Sequence, residues 1–305
     1  MKFAGKRVKV GLALLLIALA ASAAGGGSPI VVDKLPTVTA TPHWQVGNNG
    51  VQWAEIGFDD LAPPYVALQQ CWNGMGMDDK GRVYIGFTSD RATGGEDFAV
   101  FRYDPIRAEK SFLGTLVDVA KSQGNLADRE SIPKGHTRLM FVDGKIYMGT
   151  QGFHDFKGEI DDLPKYRGAH LFSFDPSKNA WQDLGIGFPG GVILKQQGIV
   201  ALGILRDQQM LIGLTHPLGD IVLFDYRNHQ LTKVAPGIPW RLGNPISREL
   251  IVAPSGRIYI YRGTEDLKQR DEETRGLGLR PETKSVDQHR IPNQSGLLDR
   301  SNPDP

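Results

Sequence analysis

Apolar and polar positions alternate along the chain in short strands that come in pairs joined by tight turns. Four segments share this pattern, and their second strands are rich in β-branched and aromatic residues, which favour pleated sheets. In three of them a glycine-containing sequence such as Asp79-Lys80-Gly81-Arg82 supplies the turn, and such turns are typical of β-hairpins. The pattern therefore predicts four antiparallel hairpins. They cover residues 74–87, 137–150, 200–215 and 249–262.

A second hairpin follows the first in three of the four segments. Its turns contain Tyr103-Asp104-Pro105, Phe174-Asp175-Pro176 and Phe224-Asp225-Tyr226, and aspartate and proline favour turns through side-chain hydrogen bonds and a preset φ. Two hairpins per unit make a four-stranded antiparallel blade, and several such units predict a β-propeller. We expect an all-β protein, an incomplete propeller of about four blade units.

The two ends of this repeat differ from its middle. Trp53-Ala54-Glu55-Ile56-Gly57 matches the fourth-strand sequence Trp181-Gln182-Asp183-Leu184-Gly185, so we expect an orphan outer strand that closes the last blade and removes a free edge. Residues 264–305 contain no aromatic residue and a dense run of charge. This composition predicts a disordered polar tail.

The N-terminal residues have the composition of a secretory signal peptide. Basic residues precede the apolar run 11–20, and the small residues Ala21-Ser22-Ala23-Ala24 follow it. A membrane anchor would need about 20 apolar residues, and this run is shorter. We therefore expect a periplasmic or extracellular protein without membrane association after cleavage. The predicted organisation is a signal peptide (1–24), an extended linker (25–50), the blades (51–263) and the tail (264–305).

Charge and cysteine content exclude several classes of function. The 35 Lys and Arg residues nearly balance the 34 Asp and Glu residues, giving a net charge of +1, so no global field attracts nucleic acid. Cys71 is the single cysteine and cannot form a disulfide within the chain. The sequence contains no phosphate-binding loop, no nucleophile elbow and no closely spaced metal-ligand pair. We expect neither a cofactor nor a metal.

Loop lengths point to one face of the predicted propeller. The loops between the second and third strands emerge at the same end of each blade as the connections between blades. Long loops at this end are where binding and catalytic residues are concentrated in proteins. We call this face the rim. On it, histidine is suited to act as a base, tyrosine as an acid and arginine as a group that binds an anion. Four of these residues also fit a structural role: Tyr166 as the anchor of a long loop, His170 as a hydrogen-bonded strand residue, and His136 and His216 as partners of a backbone carbonyl. The candidate catalytic residues are His136, His154, Tyr166 and Arg167, and the candidate ligand-binding residues are His170, His216, Trp240, Arg241 and Arg248.

Several short sequences on this rim resemble a known group of proteins. Gly135-His136-Thr137, Tyr166-Arg167-Gly168-Ala169-His170-Leu171-Phe172, Gln197-Gly198-Ile199 and Leu214-Thr215-His216-Pro217 are similar to those of uncharacterised exported bacterial β-propeller proteins in the broad quinoprotein-like or YVTN-like class. The resemblance covers roughly residues 70–262. It implies a propeller fold and no particular reaction, and the repeated tryptophans that dock the blades of quinone enzymes are absent.

Two functions fit this sequence. The first is a secreted β-propeller that recognises or cleaves an anionic polysaccharide on one loop face. In a lyase of this kind, Arg167 or Arg248 would neutralise a uronate carboxylate, a histidine would remove the C5 proton, and Tyr166 would protonate the leaving oxygen. The alternative is a non-catalytic scaffold that binds a protein. A partner chain that closes the ring is compatible with either function.

Overall fold

The structure, a computed structural model, describes residues 28–152, 166–235 and 246–262. The predicted signal peptide and polar tail lie outside the described residues, as do His154, Trp240 and Arg241. The described chain is dominated by β-strands, as the sequence predicts. The strands are β1 (Ile30–Val31), β2 (Thr37–Thr39), β3 (His43–Val46), β4 (Gln52–Glu55), β5 (Val66–Gln70), β6 (Met75–Met77), β7 (Val83–Arg91), β8 (Glu96–Asp104), β9 (Glu109–Thr115), β10 (Met140–Val142), β11 (Lys145–Gly149), β12 (Gly168–Ala169), β13 (Leu171–Asp175), β14 (Ala180–Asp183), β15 (Leu194–Lys195), β16 (Gly198–Leu205), β17 (Met210–His216), β18 (Ile221–Asp225), β19 (Gln230–Ala235), β20 (Ile246–Val252) and β21 (Ile258–Arg262).

These strands form several antiparallel sheets, which confirms the predicted hairpins. The first sheet has the order β2-β9-β8-β7-β5, with β6 also paired to β7. The second has the order β1-β14-β13-β11-β10, and the third has the order β16-β17-β18-β19. β20 and β21 form the two-stranded fourth sheet. Each predicted hairpin pair thus occupies consecutive positions in one sheet.

The N-terminal strands differ from the prediction. β4, which contains Trp53, pairs with β3 in a separate hairpin, whereas the sequence predicts a single orphan strand added to the last blade. Residues 30–39 fall in the predicted linker but form β1 and β2, which pair with the outer strands β14 and β9. These additions cover sheet edges that would otherwise expose unpaired backbone groups.

Apolar side chains fill the space between successive sheets. One cluster joins Val100 and Tyr84 of the first sheet to Phe174 and Trp181 of the second. A second cluster joins the second sheet to the third, and another joins the third sheet to β20 and β21. The second and third sheets are therefore covered by apolar contacts on both faces, as in stacked β-sheet architectures.

The first strands of successive sheets also contact one another. β6 contacts β10, β10 contacts β16, and β16 contacts β20. Gly76 in β6 makes the first of these contacts possible, because a Cβ atom there would lie 1.8 Å from the carbonyl oxygen of Leu139. The short helix α1 (Leu116–Ser122) contacts β8 and β9 of the first sheet and β14 of the second. Within the described ranges no helix is both long and apolar enough to cross a membrane.

Candidate functional site

Three loop segments lie side by side at one end of the second sheet. The backbone amide of Gln151, just after β11, donates to the carbonyl of Lys134 at 2.9 Å, and the amide of Ile199 donates to the carbonyl of Thr150 at 2.9 Å. These bonds bring the segment before β10, the end of β11 and the start of β16 together. The end of the sheet is the one that carries the predicted rim residues.

A surface group that we call the tryptophan–histidine cluster occupies this end. Trp72 is 46% exposed, although tryptophan is usually highly buried. Its ring centroid lies 6.1 Å from the ring of the buried His136, and the Lys134 ammonium lies 6.0 Å from the same indole ring. The amide Nε2 of Gln151 lies 3.0 Å from Nδ1 of His216. The cluster consists of Trp72, Lys134, His136, Gln151 and His216.

A buried histidine lies beneath the adjoining loops. His170 is 1% exposed, and its Nδ1 lies 2.7 Å from Oδ2 of Asp183. Its Nε2 lies 3.1 Å from Oε1 of Glu130. Burial lowers the pKa of His170, but the hydrogen bonds and negative charges of Asp183 and Glu130 outweigh it and raise the pKa to about 9. His170 therefore carries a proton at neutral pH.

Arg167 belongs to the same network and makes four hydrogen bonds in it. Its Nη1 donates to Glu130 Oε2 at 2.6 Å and to the Asn125 carbonyl at 2.9 Å, and its Nη2 donates to Asn125 Oδ1 at 2.6 Å. Its Nε donates to the carbonyl of Gly190 at 2.9 Å. Charge-assisted bonds of this kind are strong. Arg167 thus holds three segments of the chain together.

Tyr166 is also part of the protein interior. It is 4% exposed, and its hydroxyl accepts a hydrogen bond from the amide of Gly152 at 3.2 Å. Burial raises the pKa of Tyr166 above its ordinary value. The side chain anchors the loop that follows β11, which is the structural alternative recognised in the sequence.

The position of His170 is repeated in the other sheets. Asp97, His170 and Asp220 all lie at the start of the third strand of their sheet, and all three are buried. The amide of His170 donates to Thr150 Oγ1 at 2.9 Å, and the amide of Asp220 donates to Thr215 Oγ1 at 2.8 Å. A buried polar residue that fixes the strand end is therefore a structural feature of the repeat.

The structure brings only some of the predicted site residues together. Arg167 and His170 share Glu130, His136 contacts Trp72, and His216 pairs with Gln151. Arg248 lies on β20. Arg167 and His170 are both engaged by groups of the protein itself, Arg167 by Glu130, Asn125 and Gly190 and His170 by Asp183 and Glu130. The catalytic and ligand-binding roles of the candidate residues stay predictions.

Sequence reasoning missed several residues of this region. Trp72, Lys134, Glu130 and Asp183 are not among the candidate residues that the sequence predicts. A sequence signal for Asp183 was present, because Trp181-Gln182-Asp183 matches Trp53-Ala54-Glu55 and both sequences have an acidic residue two positions after the tryptophan. In the part of the chain that the structure describes, no group of three or more His, Cys, Asp or Glu side chains is arranged to hold a metal ion.

Comparisons with known proteins give little further information. No protein-family model matches the chain, and no curated protein is similar to it. An extracellular domain assigned to a hybrid two-component system of B. thetaiotaomicron has a TM-score of 0.34 and 12% identity over 76% of this chain. An extracellular domain assigned to a one-component system of that organism has a TM-score of 0.33 and 12% identity over 78% of this chain. The chain spans 31% and 32% of the length of these structures, and the scores are too low to assign a fold or a function.

Proposed function

We propose that the protein is an exported β-propeller protein that binds an anionic polysaccharide at the tryptophan–histidine cluster. The observation that carries this proposal is the exposed indole of Trp72 with Lys134 and His136 beside it. An exposed aromatic face stacks on the apolar face of a sugar ring, and a neighbouring ammonium pairs with a carboxylate or sulfate. Gln151 and His216 hydrogen-bond to each other at the same end of the sheet and hold the loops beside the indole in place.

The positions of three predicted rim residues support a binding role rather than cleavage. A lyase needs a neutral base and an accessible cation beside the substrate carboxylate. His170 is protonated at neutral pH, and Arg167 is occupied by Glu130, Asn125 and Gly190. Tyr166 is buried with a raised pKa. These groups instead stabilise the loops that present the cluster.

The arrangement of the sheets supports the propeller part of the proposal. The first three sheets each contain four consecutive antiparallel strands, and apolar clusters join each sheet to the next. Their first strands lie in sequence beside one another. Radial stacking of four-stranded sheets with the first strands innermost has these contacts. The leader-like composition of residues 1–24 supports the export part of the proposal.

A titration with uronic-acid polysaccharides tests this function. We expect polygalacturonate or alginate to bind the protein in isothermal titration calorimetry, with no rise in absorbance near 235 nm, where unsaturated lyase products absorb. Trp72→Ala removes the stacking surface and should weaken binding about tenfold, since aromatic contacts contribute roughly 1 kcal/mol or more.

Two exposed residues away from the cluster provide matched controls. Ile106 is 85% exposed, and the Lys178 side chain is 73% exposed, so Ile106→Ala and Lys178→Gln should bind as the unchanged protein does. Equal affinity of Trp72→Ala and these controls would contradict the proposed site. Absence of binding to every polysaccharide would instead support the protein-scaffold alternative, and a rise at 235 nm would restore the lyase reading.

A further inference from the structure

The row of sheets ends in two open apolar faces. Met75 and Met77 of β6 point away from the second sheet and are 52% and 61% exposed. At the other end, Ile251 of β20 and Tyr259 of β21 point away from the third sheet and are 65% and 40% exposed. Their neighbours Leu250 and Ile258, together with Val252 and Ile260, pack against the third sheet. Exposed apolar groups at both ends of one stack mark surfaces that another sheet would cover.

The β3–β4 hairpin is a second surface without a covering layer. Trp44 and Val46 are 67% and 68% exposed on one face, and Trp53 is 43% exposed on the other. An isolated two-stranded hairpin is marginally stable in water. Apolar residues on both faces are typical of a strand pair that lies inside a stack of sheets, with a neighbour on each side.

The sequence of this hairpin shows which position in a sheet it fits. Residues 43–57 align without a gap with residues 171–185, which include the third and fourth strands of the second sheet. The apolar residues Trp44, Val46 and Trp53 correspond in this alignment to Phe172, Phe174 and Trp181. The hairpin therefore has the sequence pattern of strands three and four of a sheet, but its pairing is shifted by one residue: Trp53 lies opposite Gln45, whereas Trp181 lies opposite Phe174.

The fourth sheet has the sequence pattern of strands one and two of a sheet. Ser255-Gly256-Arg257-Ile258-Tyr259-Ile260 corresponds to Asp143-Gly144-Lys145-Ile146-Tyr147-Met148, which links the first and second strands of the second sheet. Among the strands that the structure describes, β21 pairs with β20 and β3 pairs with β4, and neither hairpin is joined to another strand. One hairpin thus supplies strands one and two, and the other supplies strands three and four.

We propose that the β3–β4 hairpin of one copy completes the fourth sheet of a second copy. A second copy is the occupant that fits, because the two hairpins of one chain remain separate and exposed in its structure. Head-to-tail contacts of this kind close into a ring when the rotation between copies matches. Two chains then make a ring of about eight sheets, which is within the range of propellers. The inference rests on the propeller arrangement and is independent of the polysaccharide site.

The register of the second sheet predicts the contact between copies. In that sheet, Tyr147 of β11 lies opposite Ser173 of β13. The corresponding residues are Tyr259 of β21 and Gln45 of β3. Cysteines at directly opposed positions of neighbouring antiparallel strands lie within the Cα separation of roughly 4.4–6.8 Å that a disulfide spans.

Disulfide cross-linking tests the proposal. In a Cys71→Ser background, one preparation carries Gln45→Cys and a second carries Tyr259→Cys, and the two are mixed under mild oxidation. We expect a covalent dimer on a non-reducing gel, joined between positions 45 and 259 by mass spectrometry. The control pairs Tyr259→Cys with Ile106→Cys, which is also exposed to solvent but lies in a turn of the first sheet, and should give no dimer.

Other outcomes would overturn the proposal. A chain with both cysteines that forms an internal disulfide as a monomer would show closure within one copy. A mixture that forms no 45–259 disulfide would show that the hairpins do not meet. Light scattering adds a second readout: the unchanged protein should have twice the monomer mass, and Met77→Asp should have the monomer mass with an unchanged far-ultraviolet circular dichroism spectrum. A monomeric unchanged protein also contradicts the proposal, whatever its affinity for polysaccharide.

Discussion

His170 lies between Asp183 and Glu130, and this placement makes the stability of the fold depend on pH. The folded protein holds the pKa of His170 at about 9, whereas an unfolded chain has a value of roughly 6.5. A raised pKa in the folded state means that protonation favours folding. The stabilisation is complete below the unfolded pKa and is lost as the pH rises through the folded pKa.

We therefore expect the free energy of unfolding to fall by roughly 3 kcal/mol between pH 6.5 and pH 9.5. Urea denaturation at a series of pH values measures this change. His170→Gln removes the titrating group and should give a lower and flatter profile over the same range. A wild-type profile as flat as that of His170→Gln would show that the imidazole is not held in its charged form.

Single residues also show the limits of sequence interpretation in this protein. Tyr166 and His170 are conspicuous in the sequence, and the alternative that each is structural agrees with their burial. Glu130 and Asp183 could not be assigned to them, because they come from segments far apart in the chain that only the folded sheets bring together. The sequence around Trp72 does not distinguish an exposed indole from a buried one, because the exposure of this side chain depends on the packing of neighbouring loops.

At the scale of elements, turn chemistry made the hairpins predictable. The turn sequences around Gly81, Gly144 and Gly256 place positive φ angles at these glycines, and the flanking apolar alternation indicates the strands. β1 and β2 were not predictable in this way, because their partners β14 and β9 are distant in sequence. The pairing of β3 with β4 was not predicted, because the sequence match for this region begins at Trp53 and does not include β3.

Contacts between successive sheets give a prediction at the same scale. Gly76→Ala would place a Cβ atom 1.8 Å from the Leu139 carbonyl oxygen, so β6 and β10 must separate. We expect a loss of about 1–3 kcal/mol in the free energy of unfolding, which is typical of overpacking. Gly57→Ala is the matched control, because no heavy atom lies within 4 Å of its added Cβ. Equal stability of the two variants in urea denaturation would contradict the close approach of these strands.

At the scale of the whole molecule, two kinds of surface lie on different parts of the stack of antiparallel sheets. One end of the sheets carries the tryptophan–histidine cluster, and the two outer faces of the stack carry Met75, Met77, Ile251 and Tyr259. The proposed ligand site and the proposed contact between copies therefore involve different residues. This separation allows each proposal to fail without affecting the other, since Trp72→Ala changes the cluster and Met77→Asp changes the end of the stack.

The central claim is that the cluster recognises a negatively charged sugar polymer, and a comparison of two forms of one polymer tests it most directly. Polygalacturonate and its fully methyl-esterified form share the same sugar rings but differ in charge. In calorimetric titrations at low ionic strength, we expect the acid form to bind at least tenfold more tightly, because Lys134 pairs with a carboxylate while Trp72 stacks on either polymer. Equal affinity for the two forms, or no binding to either, would contradict the account.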